Sequence, residues 1–261
     1  MCLCDFLANP DNHPTFTAFL EHKFGYGRWN APFWFIGMEE GGGKTCAEVL
    51  TRIQQWRLNA RLNWNELNDL HSFWHRAFHP LPLEDCQTWR RHRALVCAVT
   101  GQEIEFARWG KKRRGEVCLV EINPLPSPNL REWHYPFVPV QDEAMNARLA
   151  NRDELLANQG LGDSRAEVLR QRLEENVTGI RCVVFYGRSE PYLQYFNTVV
   201  AGLIPHGLAQ IGQTAFRGGL INVNGLSIPV IFAPHPRNGW WNQAIGEVAA
   251  WINNNQQQQN A

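Results

Sequence analysis

The sequence predicts an α/β protein with a three-layer α/β/α fold and a mostly parallel central sheet. Two observations carry this: short apolar runs at 33–36, 116–122, 181–186 and 228–233 read as buried strands, and stretches of helical spacing lie between them. A third observation says where function sits. The first run stops at Gly37-Met38-Glu39-Glu40-Gly41-Gly42-Gly43 and the last at Pro234-His235-Pro236. Open α/β sheets keep ligands at the C-terminal ends of their strands. An acid and a histidine on two such loops are what hydrolytic chemistry needs.

The elements follow in order. Thr15 to His22 reads as a short helix stopped by Gly25 and Gly27, ahead of the strand Phe33 to Ile36. A helical stretch begins near Cys46 and spaces Val49, Leu50, Ile53, Trp56 and Leu58 along one face. The next strand is Glu116 to Ile122, and the long interval before it implies a helical and basic insertion at about 46–115 within a single domain spanning 1–261. Ser164-Arg165-Ala166-Glu167 has the form of a capping box and opens a helix to about Asn176. Arg181 to Tyr186 is a strand ending at Gly187; Ser189 caps a helix through Leu193, Phe196 and Val200. Ile228 to Ala233 is the last strand, and a helix from Trp241 to Ile252 follows it. The polar end, 254–261, is expected to be a flexible tail.

Composition bounds the function. The 261 residues are 44% hydrophobic, enough for a sizeable core. No apolar run reaches the ~20 residues of a spanning helix, and the start lacks a signal-peptide pattern, so a cytoplasmic protein without a membrane partner is expected. Seven cysteines without a framework suggest reduced thiols. Cys118 and Cys182 fall in strands and read as core. Cys2, Cys4, Cys86 and Cys97 match no usual metal or cluster spacing, and His71, His75 and His79 stop at Pro80 with no acid or cysteine aligned, so no metal is expected.

Net charge is zero, but it is unevenly spread. Between Cys86 and Gly115 there are eight basic residues and two acids, while 141–175 holds five basic residues against eight acids. The basic stretch, above all Lys111, Lys112, Arg113 and Arg114, reads either as a phosphate-facing edge or as a solvated arginine-rich loop.

Four landmarks in order then resemble the uracil-DNA glycosylase superfamily: Gly37-Met38-Glu39-Glu40; Val120-Glu121-Ile122-Asn123-Pro124; Val183-Val184-Phe185-Tyr186-Gly187-Arg188; and His235-Pro236-Arg237. The resemblance implies a DNA glycosylase that flips a base from duplex or single-stranded DNA and leaves an abasic site, acting as a monomer without a cofactor. Glycoside cleavage builds positive charge on the sugar and negative charge on the departing base. Glu39, with Glu40 next to it, is the implied carboxylate beside the sugar, and His235 the donor beside the base. Asn123 is the implied base reader, or equally a turn residue before Pro124. Gly37, Met38, Gly41 and Gly42 are the implied pocket lining. Ser127, in the stiff Pro126-Ser127-Pro128 segment, and Arg237, Asn238 and Trp240 are implied DNA contacts, while Trp241 reads better as core.

Two departures bear on substrate. Glu40 replaces the family's proline, and Gly41, Gly42 and Gly43 offer no bulky group against the 5-position of a pyrimidine. A roomier pocket for uracil or a bulky 5-substituted cytosine, as in modified phage DNA, is the expectation, with an antiphage role its extension. A non-catalytic nucleic-acid binder of the same fold is the main alternative. Gly43-Lys44-Thr45 also resembles part of a phosphate-binding loop, though five residues rather than four separate Gly37 from Gly43; Glu121 would then be a magnesium partner.

Overall fold

The apolar runs pair with one another, and the rest of the chain is arranged around that pairing. The computed structural model describes residues 3–41, 43–60, 66–77, 82–127, 133, 135, 143–157, 160–187, 190–200, 208–236 and 239–257. Its strands are β1 (Gly25–Gly27), β2 (Phe33–Gly41), β3 (Val117–Ser127), β4 (Cys182–Tyr186), β5 (Ala209–Gln210), β6 (Arg217–Val223) and β7 (Leu226–Ala233). Its helices are α1 (Leu3–Leu7), α2 (His13–His22), α3 (Cys46–Ala60), α4 (Leu70–Ala77), α5 (Gln87–Thr100), α6 (Glu143–Leu149), α7 (Arg152–Ala157), α8 (Leu161–Asn176), α9 (Glu190–Val199) and α10 (Trp240–Gln257).

The sheet order is β1-β3-β2-β4-β7-β6-β5. The central four strands, β3, β2, β4 and β7, are parallel, and they are the four runs visible in the sequence. Both of their faces are covered, which is why they are continuously apolar rather than alternating. Phe33, Phe35, Leu119, Val184 and Ile231 pack with α3, α4, α5 and α10. Trp34, Ile36, Val120, Val183 and Phe232 pack on the other side with α8 and α9. Residues 46–115 thus supply helices of the first layer.

The sheet as a whole is mixed, which corrects the mostly parallel expectation: β1 joins β3, β6 joins β7 and β5 joins β6, all antiparallel. The β6–β7 hairpin turns at Asn224-Gly225, both at positive φ (53° and 82°), the two-residue turn that matches strand twist. At β1, glycine has a different cause from the helix stop expected there. A Cβ on Gly25 or Gly27 would lie 2.0 Å from the carbonyl oxygen of Leu119 or Val117, so only glycine lets β1 pass this close to β3.

Two helix ends also differ. α8 starts after Gly160 in the left-handed region (φ 65°), three residues before the expected cap, and Ser164 lies within its first turn. The shift buries Arg165, which donates five hydrogen bonds to the carbonyls of Leu20, Glu21, Lys23, Glu121 and Ile122. It ties the end of α2 to β3. Burial pulls its guanidinium down to about 9, with Glu121 opposing, so it keeps its charge at neutral pH. At the C-terminus, α10 runs on to Gln257, so 254–257 are helix rather than tail. Asn253 donates to the Val99 carbonyl (3.1 Å) and Gln256 exchanges hydrogen bonds with Arg181. Among the described residues no helix is long and apolar enough to cross a membrane.

Candidate active site

Topology brings the four sequence landmarks to one edge. The connection leaving β2 leads to β3 on one side of it, while that leaving β4 leads towards β7 on the other, so the crevice at their C-terminal ends is the switch point of the sheet. β2 pairs with β4 only as far as Ile36, opposite Phe185, but continues along β3: Glu39 stands opposite Asn123, and Gly41 opposite Ser127 after a bulge. β4 ends at Tyr186, opposite Ala233, and His235 follows two residues later. The backbones carrying Glu39 and His235 are therefore separated by one shorter strand. Two strand spacings, about 10 Å, separate these backbones.

Beneath this gap lies a buried polar layer. Glu121, on β3, is 4% exposed, and the Tyr186 hydroxyl donates to its Oε1 at 2.7 Å. The pair occupies the space above Gly37: a Cβ there would sit 2.0 Å from Glu121 Oε2 and 2.5 Å from the Tyr186 ring. On the opposite face, Met38 packs against Gly187, where φ is +85°. The implied pocket residues Gly37 and Met38 are thus both packed within the protein, on opposite faces of β2.

His92, on α5, completes the layer. It stacks on Phe35 (centroids 4.1 Å, 16°) and meets Tyr186 (4.6 Å) and Trp241 (5.4 Å) at an angle. Neither of its ring nitrogens has a hydrogen-bond partner among the described residues. Burial pushes its titration well below the ordinary histidine value, and the nearby His235 adds to the shift, so His92 is neutral. His235 is half-buried, its ring 6.2 Å from that of Tyr186 at 66°.

Several sequence-predicted residues turn inward. Asn123 is fully buried; its Oδ1 accepts from the Leu125 amide (3.0 Å) and its Nδ2 donates to the Tyr192 hydroxyl (3.3 Å). This is the turn-forming geometry of the alternative reading. Ser127 is 3% exposed, and its hydroxyl accepts from Arg152 (3.0 Å), so it faces the protein rather than an outside phosphate. Trp241 is core, as expected, and donates to the Pro234 carbonyl (2.7 Å). Glu39, Glu40, Gly41 and Trp240 are placed by their backbone alone; Gly42, Arg237 and Asn238 lie outside the described residues.

Lys111, Lys112, Arg113 and Arg114 precede the first residue of β3 and so lie at the opposite, N-terminal edge of the parallel strands. Arg113 and Arg114 are exposed there, while Lys111 pairs with Asp69 (3.7 Å) and Lys112 with Glu66. The charge cluster thus lies at the end of the sheet away from Glu39 and His235. Nearby, His71 hydrogen-bonds the Trp109 carbonyl (3.0 Å), and no group of three or more metal-ligating side chains occurs among the described residues.

The turn that resembles a phosphate-binding loop is already filled. Glu48 accepts from the amides of Gly43 (2.9 Å) and Lys44 (3.1 Å), while Thr45 Oγ1 accepts from the Glu48 amide (3.2 Å), an extended capping box at the start of α3. The protein's own carboxylate stands where a phosphate would need those donors. Gly43 has φ +71° and lies against the Pro126 carbonyl, so it serves the turn and is no missing pocket wall.

Sequence reasoning passed over Tyr186 and His92 and noted Glu121 only as a metal partner. The available signal was an acid and an imidazole within otherwise apolar faces. Compared with family models, curated proteins and solved structures, the chain gives no match.

Proposed function

We propose that this chain hydrolyses the N-glycosidic bond of a pyrimidine flipped out of DNA and leaves an abasic site, as its resemblance to the uracil-DNA glycosylase superfamily implies. The supporting observation is convergence: four motifs in family order end on one edge of four adjacent parallel strands, with Glu39 and His235 flanking a strand that stops short. In this reading the Glu39 carboxylate stabilises the cationic sugar and orients water, with Glu40 beside it, and an N–H of His235 donates to the base as negative charge develops. Arg237, Asn238 and Trp240, following the histidine, contact the DNA. With Gly43 committed to its turn, room for a 5-substituent rests on Gly41 and Gly42, so uracil and 5-substituted cytosines are both candidate bases. The protein acts in this reading as a cytoplasmic monomer, in repair or antiphage defence.

A non-catalytic DNA binder is favoured by one observation, the inward commitment of the Asn123 amide. One experiment separates the two. DNAs carrying uracil, a thymine mismatch or a bulky 5-substituted cytosine are incubated with the protein, and abasic sites are cleaved with alkali. Glycosylase activity predicts strand scission that falls 10²–10⁴-fold in Glu39→Gln and His235→Ala. DNA binding with no scission on any substrate would establish the binder instead.

A further inference from the structure

We propose that Cys4 and Cys46 form an oxidation site, a thiol pair that closes to a disulfide in response to a two-electron oxidant such as hydrogen peroxide. Their Sγ atoms are 3.9 Å apart although 42 positions separate them in sequence. Both are half-buried against the first core layer, within reach of a small oxidant, whereas Cys118 and Cys182 are sealed in the sheet, where burial pushes both thiols up. A disulfide requires S–S of about 2.05 Å, so the sulfurs must approach by about 2 Å. Cys4 sits on a five-residue helix, α1, whose Leu3, Phe6 and Leu7 are buried in the same core layer that Cys46 packs against.

The chemistry balances simply. One thiolate attacks the peroxide O–O bond, forming a sulfenic acid and releasing water after protonation; the second sulfur attacks that sulfenic sulfur, the S–S bond forms and a second water leaves. Two thiols are oxidised and one peroxide is reduced. A dithiol reductant reverses the step.

The location gives the bond a consequence. Cys46 is the first residue of α3 and follows the turn whose amides are held by Glu48 and whose Gly43 lies against Pro126. That turn joins the acid-bearing end of β2 to α3. A Cys4–Cys46 bond anchors it to α1, stiffening one side of the crevice without consuming any group assigned to the reaction. The inference is independent of the proposed glycosylase activity.

Peptide mapping tests it. Full-length protein is treated with a few equivalents of hydrogen peroxide, remaining thiols are alkylated, and the digest is analysed by mass spectrometry. A Cys4–Cys46 cross-linked peptide, lost on adding dithiothreitol, is expected. So is a rise in Tm of roughly 5–10 °C on oxidation, absent from Cys46→Ser and Cys4→Ser. Alkylated Cys4 and Cys46 after other thiols have been oxidised would overturn the proposal, as would stable sulfinic acids or cross-links of either residue to Cys2 in place of the pair.

Discussion

His92 makes stability depend on pH in a way that one substitution should remove. The imidazole is completely buried, lacks hydrogen-bond partners among the described residues, and is held neutral by burial and by His235. In the unfolded chain it titrates near its ordinary value of 6.5. Because the folded-state value is depressed, the unfolded chain takes up the proton first as pH falls. Its contribution to stability is therefore complete above about 6.5 and declines below it, at about 1.4 kcal/mol per pH unit, until the folded-state value is reached. By pH 5 the loss is bounded at about 2 kcal/mol. His92→Phe keeps a flat ring on Phe35, removes two buried unpaired nitrogens and cannot be protonated. It should gain on the order of 1 kcal/mol at pH 7.5, and the gap over the parent should widen as pH falls towards 5, by up to about 2 kcal/mol. Urea unfolding of both proteins from pH 7.5 to 5 measures this directly, since the carboxylates shared by the two cancel in the difference. Parallel stability curves over that range would refute the reasoning, because they would mean His92 is solvated or protonated in the folded protein. Repeating the pair in a His235→Ala background keeps the second imidazole from supplying the slope.

Gly37→Ala drives a Cβ into Glu121 and Tyr186; a loss of about 1–3 kcal/mol in urea unfolding is expected, partly recovered when Glu121→Ala is added. Glu48→Ala frees the amides of Gly43 and Lys44 and removes the partner of Arg52 Nη2; a loss of about 1–2 kcal/mol is expected by the same measurement.

What was legible in the sequence was whatever depends on neighbours along the chain. The four parallel strands could be read because burial on both faces makes each a continuous apolar run. β6 escaped because Arg217-Gly218-Gly219 interrupts such a run, although Asn224-Gly225 was a direct hairpin signal beside it. β1 was hidden because glycines needed for close approach look the same as glycines that end a helix. The strand ends bearing Glu39 and His235 stood out, although β2 runs on through Glu39 to Gly41 where a glycine loop was expected, but the layer beside them did not. Glu121 and Tyr186 are 65 positions apart and meet only because β2, with a glycine at position 37, lies between their strands. Nothing local encodes that contact.

The same distinction decides which groups do chemistry. A charge count along the sequence has no direction, so Lys111 to Arg114 read equally as a phosphate-facing edge or a solvated loop, and strand polarity puts them at the end of the sheet away from Glu39 and His235. Burial then sorts the polar groups that do lie at the right end. Glu121, Tyr186, Asn123 and His92 are almost wholly enclosed; Glu121 and Tyr186 fill the space above Gly37, and the Tyr186 ring meets that of His235. In the proposed reaction the direct roles fall to the segment that outruns β4, carrying Glu39 and Glu40, and to the half-buried His235 two strands away. A buried polar floor costs stability that an apolar one would not. Its presence where four strand ends meet is what a site needing a rigid geometry between a strand end and a loop two strands away would require.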